Sequence, residues 1–364
     1  MRVSGTSRLA VCIFFVLCGI AALASPPASG YHLIKKVPLG KAPGGAEYFD
    51  YITVDADARR VYVSHGSEIK ILDADNFSAV GTISGLKRSH GVALVPELGK
   101  GFITDGDAAS VVVFDMKTFR KTGEIKSSPD TDAIVYDPAS KLIFTFNGDS
   151  KNSTVIDPAK ETVVKAMDMG GSPEQPAVDS KGILYDNNAE TNEVVVIDTG
   201  ALMIKARWKV ARAGEPVAMA LDQEHRRLFS AGRGPAMLVM MDADSGKVLQ
   251  SFPVSDGSDT NVFDPASGML FTSTRAGKVH VFHEESADKL SQVETIETEY
   301  GAKTMAMDPK THNLFLSTSD FGPAAGPKGR RPAISGTAHL LVYGQYSRET
   351  YSDLQGGSGT APHF

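Results

Sequence analysis

Cysteine is nearly absent from this chain: of 364 residues only Cys12 and Cys18 are cysteine. Both lie in an N-terminal stretch that reads as a secretion leader. Arg2 and Arg8 accompany an apolar run from Leu9 to Leu23, and Ala22-Leu23-Ala24 forms a small-x-small cleavage site. Cleavage after Ala24 is expected, which makes 1–24 a signal peptide and leaves a mature chain without cysteine. Disulfides, thiolate metal sites and cysteine nucleophiles are excluded together. The apolar run is shorter than the roughly 20 residues a membrane span needs. A periplasmic or secreted protein with no membrane span after cleavage is therefore expected.

Positive charge is also in short supply. Without Arg2 and Arg8 the chain carries 35 basic against 43 acidic side chains, a net charge of −8. Binding to a phosphate backbone depends on Lys and Arg, so nucleic acid is a disfavoured partner. Motifs of catalysis are missing as well. No Gly-x-Ser-x-Gly elbow and no His-Glu-x-x-His pair occurs, and Gly170-Gly171-Ser172-Pro173 lacks the strand-loop-helix setting of a phosphate loop. The single tryptophan, Trp208, falls in a strand pattern and reads as a packing residue.

What the chain does have is a period. Short apolar strands end in Asp55, Pro96, Asp137, Asp179, Asp222, Asp264 and Asp308, spaced 41, 41, 42, 43, 42 and 44 residues apart. A second series closes the third strand of each unit at Asp73, Asp115, Asp157, Asp198 and Asp242, with His283 and Tyr343 standing in. Four-strand units of some forty residues are propeller blades. The fold class is all-β: a seven-bladed β-propeller of four-stranded blades spanning 31–345. The aspartates are read as turn residues, because their carboxylates accept backbone N–H bonds. A ring of blades must close to remove its unpaired edges. The seventh unit lacks a clear fourth strand after Tyr343, while His32 to Val37 precedes the first unit without a partner. The N-terminal strand is expected to complete the last blade. Residues 346–364 are polar and rich in Gly, Ser and Thr, and read as a disordered tail.

Strands such as Val61-Tyr62-Val63-Ser64, Phe144-Thr145-Phe146-Asn147 and Phe315-Leu316-Ser317-Thr318, set in seven units, resemble the YVTN-repeat, YncE-like β-propeller family of exported bacterial proteins. The segments Asp222 to Ser230, Met241 to Val248 and Gly301 to His312 are similar to that family too, although the literal Tyr-Val-Thr-Asn string is absent. The resemblance implies the fold; for function it implies only ligand or nucleic-acid binding, as proposed for some members.

Five residues before each first-strand anchor the chain reaches the mouth of the central channel: Asp50, Gly91, Asp132, Glu174, Val217, Asp259 and Lys303. His90 adjoins the glycine and Glu215 lies two residues before the valine. Five acids, a histidine and a lysine are thus candidates for a ligand site, with His90, Asp132, Glu174 and Asp259 as candidate ligands for a divalent metal ion. The bland alternative is solvated polar side chains at strand ends. Loops between second and third strands add His65, Asp105, Asp107, Asn147, Asn152, Asn187, Asn188, Arg233 and Arg275 to the same face. The seventh unit carries there an insertion of about 16 residues relative to equal blades. Its segment Phe321 to Pro332 is rich in Pro and Gly and made basic by Lys328, Arg330 and Arg331. It is either a lid whose arginines face the ring or a mobile solvated loop. His225 and His312 read as solvated turn residues, and His283-Glu284-Glu285 as surface.

The favoured function is binding of a small polar or cationic ligand, a metal ion or a partner protein at the acidic mouth, by a monomer and without catalysis. A metal-assisted, lactonase-like hydrolase at the same mouth is the alternative, by analogy of fold alone.

Overall fold

Composition along the first unit shows why the strands form. In Arg60–His65 and Glu68–Asp73, β-branched and aromatic residues fill both faces and are buried, as befits sheets covered on two sides. The computed structural model describes residue 1 and residues 30–345, apart from 46, 325, 327 and 328. The expected signal peptide, the tail from 346 and Lys328 lie outside the described residues, Met1 excepted.

Seven four-stranded antiparallel sheets follow one another along the chain and form a β-propeller. The first is Ile52–Asp55, Arg60–His65, Glu68–Asp73 and Ala79–Ile83, and the next five repeat that order. The last is composite. Met305–Met307, Leu314–Thr318 and Ala338–Gln345 are joined on the outside by Tyr31–Gly40, which pairs antiparallel with Ala338–Gln345 from Tyr31↔Gln345 to Gly40↔Ala338. The expected closure is found.

Apolar clusters fill the interfaces between neighbouring sheets. Tyr62, Ile69 and Ile71 of blade one pack on Ile103, Val112 and Phe114 of blade two. The seam between first and last blades is built the same way, from Val61, Val63 and Leu72 against Phe315, Leu340 and Val342. Trp208 packs 6.1 Å from Tyr185, as a packing residue should.

Turn chemistry on the face opposite the mouth is local and also crosses between blades. Asp137 accepts bonds from the N–H groups of Ala139 and Ser140, Asp222 from Glu224 and His225, and Asp308 from Lys310. Carboxylates of this series also meet a side chain from the next blade: Arg59 on Asp308 at 2.7 Å, Arg226 on Asp179 at 3.2 Å and the His312 ring at 2.9 Å from Asp264. His312 is thus a blade-to-blade contact and not a free turn residue. His225 likewise meets Asp222 at 2.8 Å and Glu284 at 3.3 Å. Glu284 is buried inside the strand Lys278–Ser286, which runs past the expected turn at His283. The surface reading fails for Glu284, since its strand continues to a hairpin at Ser286↔Lys289.

Candidate functional site

The connections that enter each blade's inner strand deliver the candidate side chains to one face. Asp50 is buried; its backbone N–H donates to Ser64 Oγ at 2.7 Å, which fixes the strand entry. Gly91 supplies no side chain at its ring position, and a Cβ there would lie 2.9 Å from Ile134. The preceding residue fills the gap: His90 Nδ1 sits 2.7 Å from Asp50 Oδ2 and 2.9 Å from Asp132 Oδ1. Tyr48 donates its hydroxyl to Asp50 at 2.6 Å, and Arg88 lies over the Tyr48 ring at 4.6 Å.

Asp259 serves the other half of the mouth. Lys303 donates to its Oδ2 at 2.5 Å and Arg233 to its Oδ1. Glu174 is part-exposed, and its backbone N–H donates to Asp186 Oδ1 at 3.3 Å. Val217 is buried and apolar. Glu215 does not join the group. It is exposed, in left-handed backbone at φ 49°, with its N–H on Asn192.

Electrostatics follow from this crowding. Burial opposes charge on Asp50, but Lys303 and His90 more than offset it and hold the carboxyl below its usual range. Burial also opposes protonation of His90, yet Asp132 and Asp50 together push its pKa up to about 10. Asp132 is raised by burial and by the Asp50 charge. Glu174 is pushed up to about 8 by burial and Asp132, against the pull of Arg233. Asp186, fully buried, is driven well above the carboxylate range by burial. His90, Lys303 and Arg233 thus stand among the carboxyl groups of the mouth, and burial favours the protonated form of Glu174. The mouth therefore sets cationic groups directly against its acids, where the sequence reading counted mainly acids.

Among the metal candidates, Asp50, His90 and Asp132 offer ligand atoms within 4.8 Å of one another; Glu174 and Asp259 stand outside that group. Asp259 is committed to two cations. The nitrogen that would bind the metal, His90 Nδ1, already directs its proton to Asp50 and lies 2.9 Å from Asp132 Oδ1. Releasing that proton at pH 7 costs roughly 4 kcal/mol, at 1.36 kcal/mol per pKa unit.

The insertion is ordered at its base. Phe321 bridges Ala333, Gly322 N–H donates to Pro332 O at 2.9 Å, and Gly336 N–H donates to Glu47 Oε1 at 2.7 Å. Phe321 packs edge-on to Tyr300 at 5.0 Å, close above Gly301, where φ is 87° and a Cβ would lie 2.5 Å from the Phe321 ring. Between this arm and the ring lies a cavity of about 180 Å³, lined by Tyr48, Phe49, Arg275, Tyr300, Lys303 and Phe321, with Arg330 and Arg331 at its rim. Arg331 stacks over Tyr300 at 4.7 Å.

Sequence reasoning placed Arg233 and Arg275 on this face but gave neither a role, and it passed over Tyr48 and Asp186. The Tyr48-Phe49 pair just before Asp50 was a usable signal. Asp186 gave none, since a charge followed by Asn187 and Asn188 at the end of a second strand reads as polar loop entry and does not reveal its burial. Of the other loop residues, His65 bonds Glu47 at 2.7 Å, Asp105 accepts the N–H groups of Lys87 and Arg88, and Asn187 and Asn188 donate to backbone carbonyls. These hold loops in place.

No family model matches the chain, and no curated protein matches it. A solved structure titled "Crystal Structure of Mitotic Checkpoint Complex" superposes with a TM-score of 0.71 at 12% identity, covering 95% of this chain and 99% of that one. The chain is a seven-bladed β-propeller. At that identity the likeness concerns fold alone. Among the described residues no helix is long and apolar enough to cross a membrane.

Proposed function

We propose that this chain is an exported propeller of YVTN-repeat, YncE-like type that binds a small polar ligand at the mouth of its channel, under the seventh-blade insertion. The observation that carries the reading is the cavity between Tyr48, Lys303 and the Phe321 arm. It combines an apolar lining with a few convergent charged groups, which is the composition of small-molecule sites. Export is supported by the leader-like residues before Ala24, and the family by the segment likeness around Asp222 and Gly301.

Trimming residues 322–332 to a short Gly-Ser link tests this, since no strand is touched and the other blades lack the segment. A thermal-shift screen of polar metabolites should give ligands that raise the melting temperature of the full chain but not of the trimmed one. The reading is refuted if every ligand found stabilises both equally, or if none is found.

A further inference from the structure

The cavity under the insertion has a charge that the ring as a whole does not. Four cationic side chains border it: Arg275, Lys303, Arg330 and Arg331. The one acidic residue in its lining, Glu47, is spent elsewhere. Glu47 Oε2 bonds His65, Oε1 takes the N–H groups of Ala42 and Gly336, and the side chain is fully buried. Lys303 is paired with Asp259, but that carboxylate is shared with Arg233. Arg275, Arg330 and Arg331 have no acidic partner among the described residues; Arg331 has only the Tyr300 face. Arg275 is close enough to Lys303 to oppose its protonation, while Asp259 and Asp50 sustain it. Cations gathered this way repel one another unless an anion lies between them.

The rest of the lining is aromatic. Tyr48, Phe49, Tyr300 and Phe321 present ring surface beside those guanidiniums. A cavity of about 150 Å³ holds a benzene ring, so this one, at about 180 Å³, admits a ring together with a small charged group. Guanidinium forks match planar oxyanions in two-pronged bonds.

We infer that the ligand of this site is a small organic oxyanion, a carboxylate or phosphate carried on an aromatic or compact apolar body, held between Arg275, Arg330 and Arg331. This rests on the proposed mouth-binding function and reverses the cationic ligand suggested by the acid count.

Calorimetric titration with benzoate, phenyl phosphate and benzylamine tests it, using the full chain, Arg275→Gln, Arg330→Gln/Arg331→Gln and the trimmed insertion. At least one of the two anions should bind tenfold or more tightly than benzylamine, and which one identifies the oxyanion. Both arginine variants should weaken it about tenfold, while circular dichroism stays unchanged. Failure of both anions to bind, or binding indifferent to the arginines, overturns the inference. Benzylamine binding that disappears on trimming would overturn it yet leave the mouth-binding function standing; anion binding that survives trimming would sink that function as well.

Discussion

Replacing Glu174 by Gln should make the protein more stable in alkali and leave it unchanged in acid. In the folded chain the Glu174 carboxyl is pushed from 4.5 up to about 8 by burial and the neighbouring Asp132 charge. Between those pH values the native state binds the proton that the unfolded state has lost, so stability falls as pH rises through the window. Below about 4.5 both states are protonated and nothing is lost; above about 8 the full penalty applies. Its ceiling is about 5 kcal/mol, from 1.36 kcal/mol per pKa unit. Glu174 is part-exposed, so water and ions screen the repulsion, and about 2 kcal/mol is the expected size. Glutamine keeps the shape and cannot ionise. Urea unfolding at pH 4 and at pH 9 reads the difference directly. His90, whose raised pKa also costs stability as pH climbs from 6.5 to about 10, is common to both proteins and largely cancels. Stability curves that run parallel across this range would refute the assigned crowding at Glu174, as would a wild type that gains stability with pH.

Removing residues through 37 strips the outer strand of the last blade and with it Tyr31, buried against Phe271 at 5.2 Å. One buried aromatic and a lost ladder are worth about 5 kcal/mol, so a fall of about 10 °C or more in melting temperature is expected; an unchanged melt would contradict closure through this strand. Millimolar calcium, magnesium, manganese or zinc added to dialysed protein should leave the melt at pH 7 unmoved, because His90 holds its proton. A rise of several degrees that is lost in Asp132→Asn would instead establish a cation between Asp50 and Asp132.

The repeat was legible because its cause is local. An Asp that accepts N–H groups two and three residues later, as at Asp137 and Asp222, writes the turn into adjacent letters. The closing strand was legible by elimination, since an edge needs a partner. Counting back from the anchors located Asp50, Asp132, Glu174, Asp259 and Lys303, because strand register carries a position from blade to blade. Glu215, added only as a neighbour two residues before Val217, does not join them. There Gly214 is pressed so tightly on Gly234 that a Cβ would meet its carbonyl at 1.9 Å, and the next residue turns outward in left-handed backbone. Pairing was illegible for a different reason. Lys303 had Asp50 and Asp259 in reach by position alone, and the choice of Asp259 depends on three-dimensional placement.

A sevenfold ring is indifferent to ligand charge until its blades differ, and here they differ by sector. Blades one, three and four contribute Asp50, Asp132 and Glu174, while blades five to seven contribute Arg233, Arg275, Lys303, Arg330 and Arg331 around a single carboxylate, Asp259. In the acidic sector the charge is already answered, by His90 between two carboxylates and by the proton on Glu174. In the basic sector it is not, since the guanidiniums of Arg275, Arg330 and Arg331 meet no carboxylate among the described residues. A ligand gains most where the protein has left charge unpaired. If the mouth binds its ligand as proposed, the sector with the cations decides selectivity, even though the chain as a whole is acidic and carboxylates outnumber lysine at the ring positions.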